Sequence, residues 1–187
     1  MTPANTAMSP QDVAREIARV CDHDFDKELA PLAERLRHAD STTAFAALFP
    51  FAAHSQDHGP AAPAAWLLRR VNPKCPITCR DAIHEMLTDW DVSIEEVPFY
   101  LAEQFGIVEA FAAVTEMESM PSVHRQIATL GAIRYWLGCY QEMVDSRGRH
   151  SAQQIGTHEP PLPGANSNAP FHQTLELLPD PGPAGAR

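Results

Sequence analysis

Apolar residues along this chain recur at steps of three and four far more than at steps of two, which is the spacing of one face of an α-helix. Ser9 stands before Pro10, a residue suited to a first helical turn, and Val13, Ile17, Val20 and Cys21 follow at helical spacing. Phe25, Leu29, Leu32 and Leu36 predict a second helix, kinked or restarted at Pro31. A third begins at Ser41 and carries Phe45, Leu48 and Phe49. Residues 55–63 read as a loop, after which Trp66, Leu67, Leu68 and Val71 form a short helix.

The stretch 78–146 is the best specified. Thr78 and Asp81 have capping-box spacing, and Ser93 and Glu96 form a full Ser-x-x-Glu box with Val92 and Val97 at the staple positions. Gly106 stops that helix where a left-handed residue is wanted. The next runs from Ile107 to Glu118, Pro121 opens the last, and Val123, Ile127, Leu130, Leu137 and Val144 carry it to about Asp145. On that last helix Val123, Ile127, Leu130, Ile133, Leu137, Tyr140 and Val144 share one arc, extended by Trp136 and Met143. Ala128, Gly131, Ala132 and Gly138 would let neighbours approach closely. The expectation is therefore an all-α domain over residues 1–149, with the last helix at its centre. It is built as an antiparallel helical bundle or a short helical stack. Helices of about twelve residues in succession resemble, in topology alone, the stacked pairs of HEAT-type solenoids. Residues 150–187, where Pro and Gly supply 11 of 38, are predicted as a disordered tail, with Phe171–Leu178 apolar enough to dock transiently.

Charge narrows the function. Fourteen Lys and Arg against 24 Asp and Glu leave a net charge of −10, and Lys occurs only at Lys27 and Lys74, so nucleic acid is disfavoured as a partner. Charged or helix-breaking residues interrupt every apolar run before about 20 residues, so no membrane span is expected. The start of the chain lacks the basic and apolar pattern of a secretory signal, and the four cysteines are too few and too spread for a disulfide scaffold. Cytoplasmic residence is the default.

From Cys79 to Glu118 the chain carries ten acidic residues and one basic residue. Asp81, Glu85 and Asp89 recur every fourth position, so like charges stack along one face, and a cationic partner would relieve them. Phe99 and Tyr100 are candidate anchors beside that face. Arg134 falls within the predicted apolar arc, where it needs an anion. That anion is either an internal carboxylate such as Glu96 or Glu103, or the carboxylate or phosphate of a ligand.

Other chemistry is sparse. His54 and His58 have His-x-x-x-His spacing, which on a helix could hold zinc or iron, but Gly59 and Pro60 follow and no third ligand is evident. Cys75 and Cys79 lie four apart, the second in a first helical turn where the dipole favours thiolate. The pair resembles the Cys-x-x-Cys and following His of helical alkylhydroperoxidase D-like proteins. It has one residue too many between the thiols, and His84 comes five after Cys79; the resemblance implies a redox pair. Gly-x-Gly-x-x-Gly, Gly-x-x-x-x-Gly-Lys and Gly-x-Ser-x-Gly are absent, which lowers the enzyme reading. No cofactor is expected. The leading expectation is a non-catalytic, acidic protein–protein interaction module whose partner has a basic surface. The alternative is a small helical enzyme or ligand binder with a buried anion or metal site.

Overall fold

The computed structural model describes residues 9–19, 25–54, 60–120 and 124–155, with side chains described as far as 148 apart from that of residue 25. It is all-α. In chain order the helices are α1 (Pro10–Ile17), α2 (Phe25–Arg37), α3 (Ser41–Ala53), α4 (Ala61–Val71), α5 (Cys79–Asp89), α6 (Glu96–Phe105), α7 (Ile107–Glu118) and α8 (His124–Ile155). Val20, Cys21, Pro121, Val123 and the tail from residue 156 onward lie outside the described residues.

Local chemistry explains most helix starts. Ser9 caps α1 with a full box to Asp12, whose carboxylate accepts from the Ser9 hydroxyl at 2.7 Å. Asp40 caps α3 through the Thr43 amide at 2.9 Å, and Thr78 caps α5 through the Asp81 amide at 3.1 Å. Pro31 lies inside α2, which continues past it rather than restarting. The predicted loop up to Pro63 is shorter than expected, because Ala61, Ala62 and Pro63 already belong to α4, with Pro63 in the first turn where its missing N–H costs nothing. Asn72 ends α4 with φ 52°, the left-handed conformation that Asn tolerates better than most side chains.

The Ser93–Glu96 box does not form. Asp91 takes both the Ser93 hydroxyl (2.7 Å) and the Ser93 amide (2.9 Å), an Asx turn that competes with capping. Helix α6 begins instead at Glu96, with Glu95 before it. Pro98 supplies the reason. A start at Ile94 would place it in the helix body, whereas a start at Glu96 leaves it in the first turn. Val92, the expected staple, is exposed.

The core is Ala-rich and centred on α3 and α4. Ala44, Ala47, Ala52 and Ala53 of α3 and Ala61, Ala64 and Ala65 of α4 are all nearly or wholly buried, and small side chains let these two contacting helices pack closely. Phe45 and Phe49 stack at 4.7 Å beside them. Helices α1 and α2 cover one side of this pair, while α6 packs on α4 and links it to α7 and α8. Tyr100, fully buried, donates to the Pro73 carbonyl at 2.8 Å and lies near Phe45. Gln104 accepts from the Cys75 amide at 3.0 Å and donates to Asn72 at 2.6 Å, so α6 grips the segment between α4 and α5. Gly106, at φ 86°, both ends α6 and starts α7, turning the chain through 114°. No single described helix is long and apolar enough to cross a membrane; only α6 and α7 taken together pass by length and composition, and they bury Val97, Leu101, Ala110 and Val114 in the core.

Helix α8 is not central, contrary to the sequence expectation. It packs on α5, α6 and α7 from one side, burying Thr129, Leu130, Ile133 and Leu137. Ile127 and Val144, predicted inward, are 56% and 45% exposed. The close approach expected at Gly131 and Gly138 occurs between α3 and α4 instead. A Cβ added at either glycine would meet nothing within 4 Å. The helix also runs past Asp145 to Ile155, since no residue after Asp145 breaks it before then.

Candidate functional site

The acidic stripe of α5 is partly answered from within. Asp81 accepts from the Thr78 hydroxyl at 2.7 Å, and Asp89 pairs with Arg125 of α8 at 3.0 Å. Glu85 lies 3.5 Å from the His54 ring and stays more than half exposed. The anchors predicted beside this stripe are buried. Phe99 packs among Trp136 at 6.4 Å and Tyr140 at 5.3 Å, with the Arg69 guanidinium 4.8 Å above its ring, and Tyr100 belongs to the core. Neither ring can meet a partner while α6 keeps its place, because both fill the seam that α6 makes with its neighbours.

Arg134 is an internal ion-pair residue, and its partner is Glu118 rather than Glu96 or Glu103. Nε and Nη2 reach the two Glu118 oxygens at 3.0 and 2.6 Å, and Nη2 also donates to the Thr115 hydroxyl at 2.8 Å. The guanidinium lies 5.8 Å from the Phe111 ring. It is 39% exposed, at the edge of the α7–α8 seam rather than in an apolar pocket. Its Nε–Nη2 edge is spent on Glu118 and Thr115, so that edge is not available to grip a ligand anion. The hydrogen bonds from Arg134, and then its charge, hold the Glu118 carboxyl below its ordinary range.

The thiols read differently in three dimensions. Cys75 and Cys79 are free and buried, and burial, then Glu109, then Cys75 push the Cys79 thiol up to about 12. Burial also raises Cys75. Desolvation outweighs the helix dipole, so both stay protonated near neutral pH, which removes the activated thiolate that a redox pair needs. His54 follows the end of α3, and His58 lies outside the described residues. Among the described residues no group of three or more His, Cys, Asp or Glu is placed to hold a metal.

What the structure brings out is the outward face of α8. His124, Ala128, Gly131, Tyr135, Gly138, Glu142 and Asp145 follow one another at alternating steps of four and three, the repeat that lines one helix face. Six of the seven are exposed, Gly138 is half-exposed, and Ile127 flanks the row. Tyr135 is 63% exposed and its ring touches Trp136 edge-on at 5.0 Å. Its hydroxyl is raised above its ordinary pKa by a hydrogen bond with Cys139, and further by the charges of Glu142 and Glu95. Two carboxylates thus act on the Tyr135 hydroxyl. Trp136 anchors the inner side by donating to the Val92 carbonyl at 2.8 Å.

Comparison with protein families, with curated proteins and with solved structures finds no match.

Sequence reasoning missed this row because it weighed the small residues as inward packing; their alternating four–three spacing with Tyr135 was the available signal. It also offered Glu96 or Glu103 as the partner of Arg134, and neither is. Glu103 pairs with Arg69 of α4 at 3.1 Å. Glu96 and Glu103 are seven apart, on the same side of α6 as Phe99 and Tyr100, and that spacing marks them as half-sheltered.

Proposed function

We propose that this chain is a non-catalytic protein–protein interaction module, acting as an adaptor, inhibitor or regulator in the cytoplasm. On this reading it receives a basic helix of a partner protein on the outward face of α8. The observation that carries the reading is the pair of uncovered glycines beside exposed Ile127 and Tyr135. Each glycine in a helix interior costs roughly 1 kcal/mol relative to Ala, and nothing in the described chain compensates at these two positions. A helix laid across them gains close backbone contact, with Tyr135 as a rigid aromatic anchor. Glu142, Asp145 and Glu95 supply the charge that selects a basic partner, and the exposed Asp81 and Glu85 add to its long-range attraction.

The test places a photo-crosslinking residue at Tyr135 and identifies what it captures. The expected partner carries a Lys- or Arg-rich amphipathic helix, and capture falls with Gly131→Leu and with rising ionic strength. Capture that survives Gly131→Leu but is lost with Glu85→Lys moves the docking surface to α5. Capture indifferent to both variants and to salt removes the proposal.

A further inference from the structure

Between α2, α4 and α6 lies a cleft of about 330 Å³, on a different part of the molecule from the outward face of α8. Asp26, Trp66, Arg69, Arg70, Glu96 and Glu103 line it. Its charges are unequally committed. Arg69 donates through Nε to Glu103 at 3.1 Å and lies over the Phe99 ring, so its charge is answered first by Glu103. Glu96 is half-buried, and no ion pair among the described residues reaches it. Its carboxylate accepts from its own amide, with Arg69 as a weaker and more distant influence. Asp26 is exposed at the mouth, and the opposing charge left over is Arg70. Beside the Arg69–Glu103 pair the lining offers two carboxylates, one further guanidinium and an indole. A planar organic cation suits that set, because it pairs with a carboxylate through two parallel N–H groups and also stacks on an aromatic ring.

We propose that this cleft binds a small alkylguanidinium compound, held by the Glu96 carboxylate and the Trp66 ring with Asp26 at the entrance. The inference is independent of the docking role of α8. The shelter that leaves Glu96 without a cation is also what raises its affinity for one, since water competes less there than at the open surface. Burial, ahead of the neighbouring Glu95, keeps its carboxyl above the ordinary range, and a bound cation reverses that cost.

Calorimetric titration of the full chain with agmatine and with N-acetyl-arginine amide tests this. Saturable binding of either probe is expected, weakened about tenfold or more by Glu96→Gln and several-fold by Trp66→Leu. Glu85→Gln, away from the cleft, is expected to match the unchanged protein. Binding of both probes points to a free metabolite, and binding of the amide alone to an arginine within a peptide; either supports the site. Should Glu96→Gln fail to fold, Asp26→Asn at the exposed mouth serves instead, with a several-fold loss expected. Absence of saturable heat at tens of millimolar overturns the proposal. So does affinity unchanged in Glu96→Gln and Trp66→Leu, or preferential binding of glutarate.

Discussion

Arg134 was legible as a charge needing a partner and Glu96 as one candidate for it; the structure pairs Arg134 with Glu118 instead, and Glu96 and Glu118 are given opposite behaviour with pH. The Glu96 carboxyl sits above its ordinary range, so in linkage terms its contribution is fully present below the unfolded value and is lost as pH rises through the folded one. Glu96→Gln is therefore expected to gain stability over the unchanged protein as pH rises from 4 to 7, read as the difference between their melting temperatures. Glu118 sits below its ordinary range, so its bond to Arg134 contributes above the unfolded value and is lost as pH falls through the folded one. Because the pair is more than one-third exposed on both sides, Arg134→Met should cost only about 0.5–1 kcal/mol at neutral pH. That loss should shrink in high salt and in acid; a loss several times larger would mean the guanidinium is desolvated after all. The thiols give a third check at this scale. Iodoacetamide on the native protein should label Cys139, which is half-exposed, before Cys75 and Cys79, and peptide mass mapping reads the order.

Among the helices, amphipathic spacing identified all eight, because each buries a stripe of apolar residues. Boundaries failed where two local signals competed. Thr78 had no rival and caps α5 as its spacing predicts, whereas Ser93 had Asp91 two residues before it and Pro98 five after. Thr78→Ala should accordingly cost about 1 kcal/mol and Ser93→Ala much less, a contrast that paired denaturant melts of the two variants resolve. Centrality was not legible, because Gly and Ala on a helix face mean close packing only when another helix is there. On α3 and α4 it is; on the outer side of α8 it is not. Gly131→Ala and Gly138→Ala should then each stabilise the isolated protein by up to about 1 kcal/mol, since the added methyl meets nothing. Unchanged or lower stability would mean the outer face is covered.

Across the whole molecule the acidic balance of −10 sets a background repulsion that salt screens. Moderate salt should raise the melting temperature slightly, and Glu85→Lys should do the same at low salt, because Glu85 is more than half exposed and lies 3.5 Å from the His54 ring rather than against a lysine or arginine. Unfolding of Glu85→Lys would instead show that the α5 face is part of the core. The all-helical class was readable from periodicity alone. The proposed sites were not, since they are argued from where α2, α4 and α6 converge and from a long helix exposed along one side. The grip of Tyr100 and Gln104 on the residues joining α4 to α5 ties the early part of the chain to the late part. A protease nick between Pro73 and Pro76 would consequently leave the two fragments migrating as one particle, separating only once denaturant is added.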